Sequence, residues 1–247
     1  YWMFDLDKYK DNTAVITDRD EVLTYGQVAE EVENFVVHYK GGFVFTLCEN
    51  LLGAFIGYVA CMNRHIPQVL LDGSKDLELV QRLIGIYQPE YIWMPSVRAN
   101  EIGGKSIYTY QEYSLQLMTY DEPLTDRAIH PELLLCLTTS GSTGSPKLVR
   151  LSEQNLKSNA ESIADYLKIT SDERPVTSLP MYYSYGMSVI NSHLIKGATI
   201  LLTDKAVMQR EFWTFIKEQK ATSIAGVPYT YEMLKRLRFF RMELPEL

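Results

Sequence analysis

Short apolar runs recur along this chain, and a helical pattern follows nearly every one of them. Residues 14–17, 43–47, 68–71, 91–94, 133–137, 198–202 and 222–225 read as strands. Over 24–39, Val28, Val32, Phe35, Val36 and Tyr39 share one face behind Thr24 as an N-cap. The stretch 51–63 is apolar nearly all round, which predicts a buried helix. Residues 76–87, 207–220 and 229–240 continue the pattern, the last with Met233, Leu234, Leu237 and Phe240 spaced for packing. A parallel strand pair needs a crossover, and a helix supplies it. The predicted fold class is therefore α/β, with largely parallel sheets flanked by helices. Residues 96–131, rich in turn formers and tyrosine, yield no element.

The run 133–137 leads into Thr139-Ser140-Gly141-Ser142-Thr143-Gly144-Ser145-Pro146-Lys147. A helix is expected from near Ser152 towards Leu167, with Leu156, Ala160, Ile163, Ala164 and Leu167 as its apolar stripe. The expected order is strand, loop, helix. Small residues let backbone N–H groups approach an anion, and glycines allow the positive φ that turns them inward. The hydroxyls add donors, and Lys147 adds a full positive charge. Phosphate fits such a loop. It is not the common nucleotide-triphosphate loop, which needs Gly-Lys-Ser/Thr with the Lys opening a helix. Here Ser145 and Pro146 separate Gly144 from Lys147, and proline keeps the residue before it out of the helical region. A flexible Gly/Ser linker is the plain alternative. The apolar run before the loop and the Pro-Lys that closes it weigh against that.

A length of 247 residues accommodates one large domain or two small ones. The net charge is −7 with acids and bases intermixed, so no basic face is offered to nucleic acid or an anionic membrane. An anion site must be made locally. Cys48, Cys61 and Cys136 are far apart and sit in apolar stretches, which suits reduced core thiols and a cytoplasmic location. Neither they nor His38, His65, His130 and His193 cluster at metal-ligand spacing, so no protein-built metal site is expected. No signal peptide is visible, and the longest apolar stretch, 51–62, is too short to span a bilayer.

Residues 139–147 resemble the phosphate-loop signature of the adenylate-forming (AMP-binding) superfamily, which contains acyl-CoA synthetases, peptide-synthetase adenylation domains and beetle luciferases. Leu23-Thr24-Tyr25-Gly26-Gln27-Val28 is similar to its first core motif, and 64–72 to its second. Leu179-Pro180-Met181-Tyr182-Tyr183-Ser184-Tyr185-Gly186 is similar to its substrate-side motif, and Gly226-Val227-Pro228 to the segment after it. The matches fall in the family's order and span almost the whole chain, closest to the acyl-CoA synthetase branch. The resemblance implies an incomplete N-terminal domain of two packed α/β subdomains. One is 42–175 with the phosphate loop; the other joins 1–41 to 176–247.

The same resemblance implies a reaction in two steps. A carboxylate attacks the α-phosphorus of ATP to give an acyl-adenylate and pyrophosphate, and a thiol of CoA or a carrier protein then takes the acyl group. Thr139, Ser140, Gly141, Ser142, Thr143, Gly144 and Lys147 are implied phosphate-binding residues, with Thr143 and Lys147 acting catalytically. Mg²⁺ would bridge the phosphate oxygens. Leu148 stands where the family commonly has Gly. Tyr183 falls where the acyl-CoA synthetase branch usually has His. Lacking an imidazole's charge at neutral pH, it is expected to position or gate. Tyr185, Met187, Val189 and Gly226 are implied to line the acyl pocket. The plain alternative for the Tyr182–Tyr185 segment is an aromatic core strand, in a chain with 17 tyrosines.

Amino-acid-activating members place an Asp in this region to hold the ammonium group, whereas no acidic residue lies between Glu173 and Asp204 here. A buried ammonium without a carboxylate is costly, so a fatty or aryl acid is expected. The family continues beyond the Gly226-Val227-Pro228 segment with adenine and ribose contacts and a small domain bearing a catalytic Lys. The 247 residues alone are therefore expected to be inactive, and to self-associate through an unpaired strand edge near 222–225. The competing readings are a catalytically dead nucleotide-binding or regulatory homologue, an amino-acid-activating adenylation domain, and a P-loop phosphotransferase. The missing Gly-Lys-Ser/Thr speaks against the last.

Overall fold

The computed structural model describes residues 3–74, 77–139 and 147–247. In chain order the strands of the first half are β1 (Thr13–Thr17), β2 (Val22–Thr24), β3 (Val44–Cys48), β4 (Gln68–Asp72), β5 (Tyr91–Pro95), β6 (Lys105–Tyr110) and β7 (Tyr113–Leu117). Their helices are α1 (Tyr25–Val36), α2 (Leu52–Asn63), α3 (Leu77–Tyr87) and α4 (Ala99–Ile102). The second half adds β8 (Leu133–Thr138), β9 (Leu148–Ser152), β10 (Pro175–Val176), β11 (Ile200–Leu202) and β12 (Ser223–Ile224). Its helices are α5 (Glu153–Tyr166), α6 (Ser184–Leu194), α7 (Arg210–Glu218) and α8 (Pro228–Arg236). Two compact units result, 1–4 with 30–156 and 5–29 with 157–247. The changes of unit at 29/30 and 156/157 fall inside helices, α1 and α5, where no linker composition marks them.

The first unit holds a seven-stranded sheet in the order β6-β7-β5-β3-β4-β8-β9. Its centre, β5-β3-β4-β8, is parallel, and its flanks are antiparallel. β3 and β5 are buried along their whole length, which is why they read as unbroken apolar runs. Every residue of α2 is buried against one face. There the Trp93 indole donates to the Gly53 carbonyl at 2.8 Å. A Cβ at Gly57 would come within 2.2 Å of the Trp93 Nε1, so only glycine lets the helix lie against the ring. On the other face Val80, Leu83 and Ile84 of α3 pack with Phe45, Leu47, Val69 and Ile92. Full burial of each such side chain contributes about 1.5–3 kcal/mol.

The second unit holds a five-stranded sheet in the order β12-β10-β11-β1-β2. All its pairs are parallel except β1 with β2. Phe212, Phe215 and Ile216 of α7 close one face over Ile16, Val176 and Leu201. Thr24 caps α1 as expected. Its Oγ1 accepts from the Gln27 N–H at 3.2 Å, and Gln27 Oε1 accepts from the Thr24 N–H at 2.9 Å, a reciprocal cap that satisfies two otherwise orphaned donors. Tyr25 is buried and donates to the Ala198 carbonyl at 2.6 Å.

Two expectations need correction. The order after β8 is not strand, loop, helix: β9 intervenes, antiparallel to β8, before α5 begins. It is an edge strand with exposed Val149 and Arg150, so it shows no continuous apolar run. The unread segment 96–131 contains the β6–β7 hairpin. Its turn uses Gln111 at φ 51°, a left-handed position filled without glycine or asparagine, so the usual turn signal is absent.

Candidate functional site

The hairpin of β8 and β9 carries the Gly/Ser/Thr-rich loop at its tip. Thr138 pairs with Leu148 at the end of the ladder. One step further the Thr139 N–H donates to the Lys147 carbonyl at 3.0 Å, and its Oγ1 lies 3.4 Å from the same oxygen. Thr139 and Lys147 thus stand opposite each other at the mouth. Because β8 runs parallel to β4, the loop leaves the sheet at the carboxyl ends of the parallel strands, where open α/β sheets bind ligands. Ser140, Gly141, Ser142, Thr143 and Gly144 lie outside the described residues. Lys147 is exposed. Leu148, at the position noted for glycine, packs instead against the core beneath the sheet.

The Tyr182–Tyr185 segment is not a strand. After β10 the chain turns, with the Tyr183 N–H donating to the Pro180 carbonyl at 3.1 Å, and α6 begins at Ser184. Tyr183 is the extended residue ahead of it, at φ −91° and ψ 138°. Gly186 is dictated by close approach: a Cβ there would sit 2.1 Å from the Pro180 carbonyl oxygen. The first turn of α6 therefore lies directly on the Leu179-Pro180 backbone. Tyr183 and Tyr185 are half-exposed, at 48% and 41%, whereas Met187 is buried at 5%. A helix separates residues two apart by about 200°, so Tyr185 and Val189 share a face and Met187 turns to the core. The alternating set Tyr185, Met187 and Val189 would line one wall only as a strand.

Gly226 lies between β12 and α8. β10 and β12 are parallel neighbours, and Ser178 Oγ donates to the Ala225 carbonyl. The Tyr183 segment and the Gly226 segment thus leave the same edge of the second sheet. At the start of α8 the Val227 N–H donates to Thr230 Oγ1 at 3.2 Å, with Pro228 in the first helical position. His193, late in α6, is buried, and its Nδ1 lies 2.7 Å from the Val189 carbonyl oxygen. Burial holds its pKa below the ordinary 6.5, so the neutral ring donates to that carbonyl.

The AMP-binding enzyme family matches residues 5–246. The chain belongs to this family. Feruloyl-CoA synthase of Amycolatopsis sp is 28% identical over 104 residues, which cover 42% of this chain and 21% of that one. D-alanine–D-alanyl carrier protein ligase of Bacillus licheniformis is 21% identical over 93% of this chain and 50% of its own length. Among solved structures, apo MatB of Rhodopseudomonas palustris superposes with TM-score 0.74 at 22% identity, over 95% of this chain and 50% of its own. O-succinylbenzoate coenzyme A synthetase of Bacillus subtilis, solved with AMP, gives 0.74 at 20% identity, over 98% of this chain and 65% of that one. The chain spans about half the length of the carrier protein ligase and of MatB. The α/β architecture with two sheets is thus the AMP-binding fold.

Within that fold, the described residues contain no group of three His, Cys, Asp or Glu able to hold a metal ion. No described helix is long and apolar enough to cross a membrane. Cys48, Cys61 and Cys136 are free and buried, and burial pushes the Cys136 thiol up to about 11. Sequence reasoning missed Arg127 and Arg150, the cations beside Lys147 in one cleft of the first unit. Arg127 lies in the unread segment and Arg150 on the unexpected β9. The sequence marks neither clearly, since Leu148-Val149-Arg150-Leu151 does not alternate apolar with polar.

Proposed function

We propose that the protein carrying this chain is an AMP-forming acid–thiol ligase, activating a carboxylic acid with ATP and passing the acyl group to the thiol of CoA or a carrier protein. One observation carries the reading: a family-type phosphate loop closed by Thr139 and Lys147 at the carboxyl ends of parallel strands, in a chain of the AMP-binding family. The attacking carboxylate oxygen bonds to the α-phosphorus. The bond from that phosphorus to the bridging oxygen breaks, and its electron pair leaves on pyrophosphate. Lys147, Thr143 and the N–H and hydroxyl donors of Thr139, Ser140, Gly141, Ser142 and Gly144 offset the departing charge, and fixed donors of this kind are worth most when water is excluded. Mg²⁺ would enter with the nucleotide, the described residues offering no group of three His, Cys, Asp or Glu to hold it, and would supply further neutralisation of the phosphate charge. Tyr183 positions the carboxylate through its phenol, and Tyr185, Val189 and Gly226 bound the acyl group. The buried, unpaired thiols support a reducing, cytoplasmic setting.

The acid we favour is fatty or aryl, since no carboxylate between Glu173 and Asp204 can pair an ammonium. A second reading, activation of an amino acid, is favoured by the D-alanine–carrier protein ligase that matches 93% of the chain. Acid-dependent ATP–pyrophosphate exchange tests both. With Lys147→Ala the exchange should fall by about 10²–10³; unchanged exchange would sink the assignment.

A further inference from the structure

A cleft of about 540 Å³ lies in the first unit against β8 and β9. That volume is within the roughly 300–1,000 Å³ of sites that take small molecules. Its walls combine two chemistries. Phe43, Tyr87, Ile129, Leu133 and Leu148 give an apolar floor, and Arg127, Lys147 and Arg150 give cations. Among the described residues no acidic side chain lines it, in a chain with 31 acidic and 24 basic residues. The three cations are not equivalent. Arg127 donates to the carbonyls of Tyr87 and Gln88 and is paired with Glu90, so its charge is already met. Lys147 and Arg150 have no ion-pair partner among the described residues.

β9 aims them. Leu148 and Arg150 are two apart on a strand and face the same side, while Val149 points away and is 43% exposed. The Arg150 charge is also felt at the floor, where it pulls the Cys136 thiol down against the upward push of burial. We propose that this cleft binds a small amphipathic organic anion: an aryl or branched alkyl body on the apolar floor, with one carboxylate or sulfonate between Lys147 and Arg150. The cleft uses no residue of the Tyr183 segment, but it shares Lys147 with the proposed phosphate loop, so this anion and the nucleotide would compete for that lysine.

Calorimetric titration with naphthalene-2-sulfonate, in the absence of ATP, reads the cleft directly. Saturable one-site binding is expected. Arg150→Glu should weaken it at least tenfold, equivalent to about 1.4 kcal/mol, and Ile129→Trp, which fills the floor without touching a charge, should weaken it as well. Tyr183→Ala should leave it unchanged. Circular dichroism checks each variant; should Arg150→Glu fail to fold, Ile129→Trp decides alone. Absence of saturable binding, insensitivity to the cleft substitutions, or loss on Tyr183→Ala would overturn the proposal.

Discussion

Gly186→Ala is a small substitution with a large expected effect. The added Cβ would lie 2.1 Å from the Pro180 carbonyl oxygen, 2.9 Å from its carbon and 3.1 Å from the Leu179 oxygen. The closest approach is about 0.9 Å short of the 3.0 Å that real Cβ atoms keep. All three neighbours are backbone, so no side chain can rotate away, and α6 must lift from the Leu179-Pro180 turn. Overpacking of this kind costs about 1–3 kcal/mol. Alanine returns about 0.5–1 kcal/mol through helix propensity, which leaves a net loss of up to about 2.5 kcal/mol. For a chain of this size each kcal/mol moves Tm by about 2–4 °C, so melting should fall by up to roughly 10 °C. Gly85 supplies the control. It is an exposed residue inside α3, and a Cβ there meets nothing within 4 Å. Gly85→Ala should therefore gain about 0.5–1 kcal/mol and raise Tm. Far-UV circular dichroism melts of both variants and the parent decide it, each read on the transition of its own unit. A Gly186→Ala protein that melts at or above the parent would refute the close-approach argument, as would both substitutions moving Tm the same way.

Three further outcomes follow from the same geometry. Acid-dependent exchange should run with fatty or aryl acids and not with α-amino acids; preferential exchange with D-alanine or another amino acid would move the assignment to the second reading. His193 is held below its ordinary value, so on acidification below pH 6.5 the unfolded chain takes up a proton that the folded state resists, and stability falls until the folded pKa is passed. Urea midpoints at pH 7.5 and 5.0 should diverge less in His193→Gln than in the parent, and equal divergence would remove His193 as the cause. β12 is the outermost strand of its sheet but only two residues long, and short edges pair poorly. Any self-association should thus be weak and should vanish with Ile224→Pro; light scattering over a concentration series checks this, and dimers indifferent to that change would place the contact elsewhere.

The sequence by itself determined the elements whose burial is complete on every side. β3, β5 and α2 are apolar nearly throughout, Thr46 and Asn63 apart, because no face of them meets water, and their runs announce them without any knowledge of neighbours. Thr24 and Gln27 likewise cap α1 through bonds made within four residues, so the chain needs nothing distant to specify them. The loop proposed to hold phosphate drew attention for the same reason: its residue types lie in nine consecutive positions. Only the tertiary structure decided the rest. β9 is an edge strand whose pairing with β8 sets its conformation, and its residues show no alternation that would mark it. The Tyr183 segment mixes tyrosines with small residues, and what makes it a turn and a helix is contact between Gly186 and the Pro180 carbonyl. That contact also turned Met187 inward and left Tyr185 and Val189 outward, a division that residue spacing could not supply until the period was known. Arg127 joined Lys147 and Arg150 for the same kind of reason, since a residue from a distant stretch of the chain enters their cleft only through the fold.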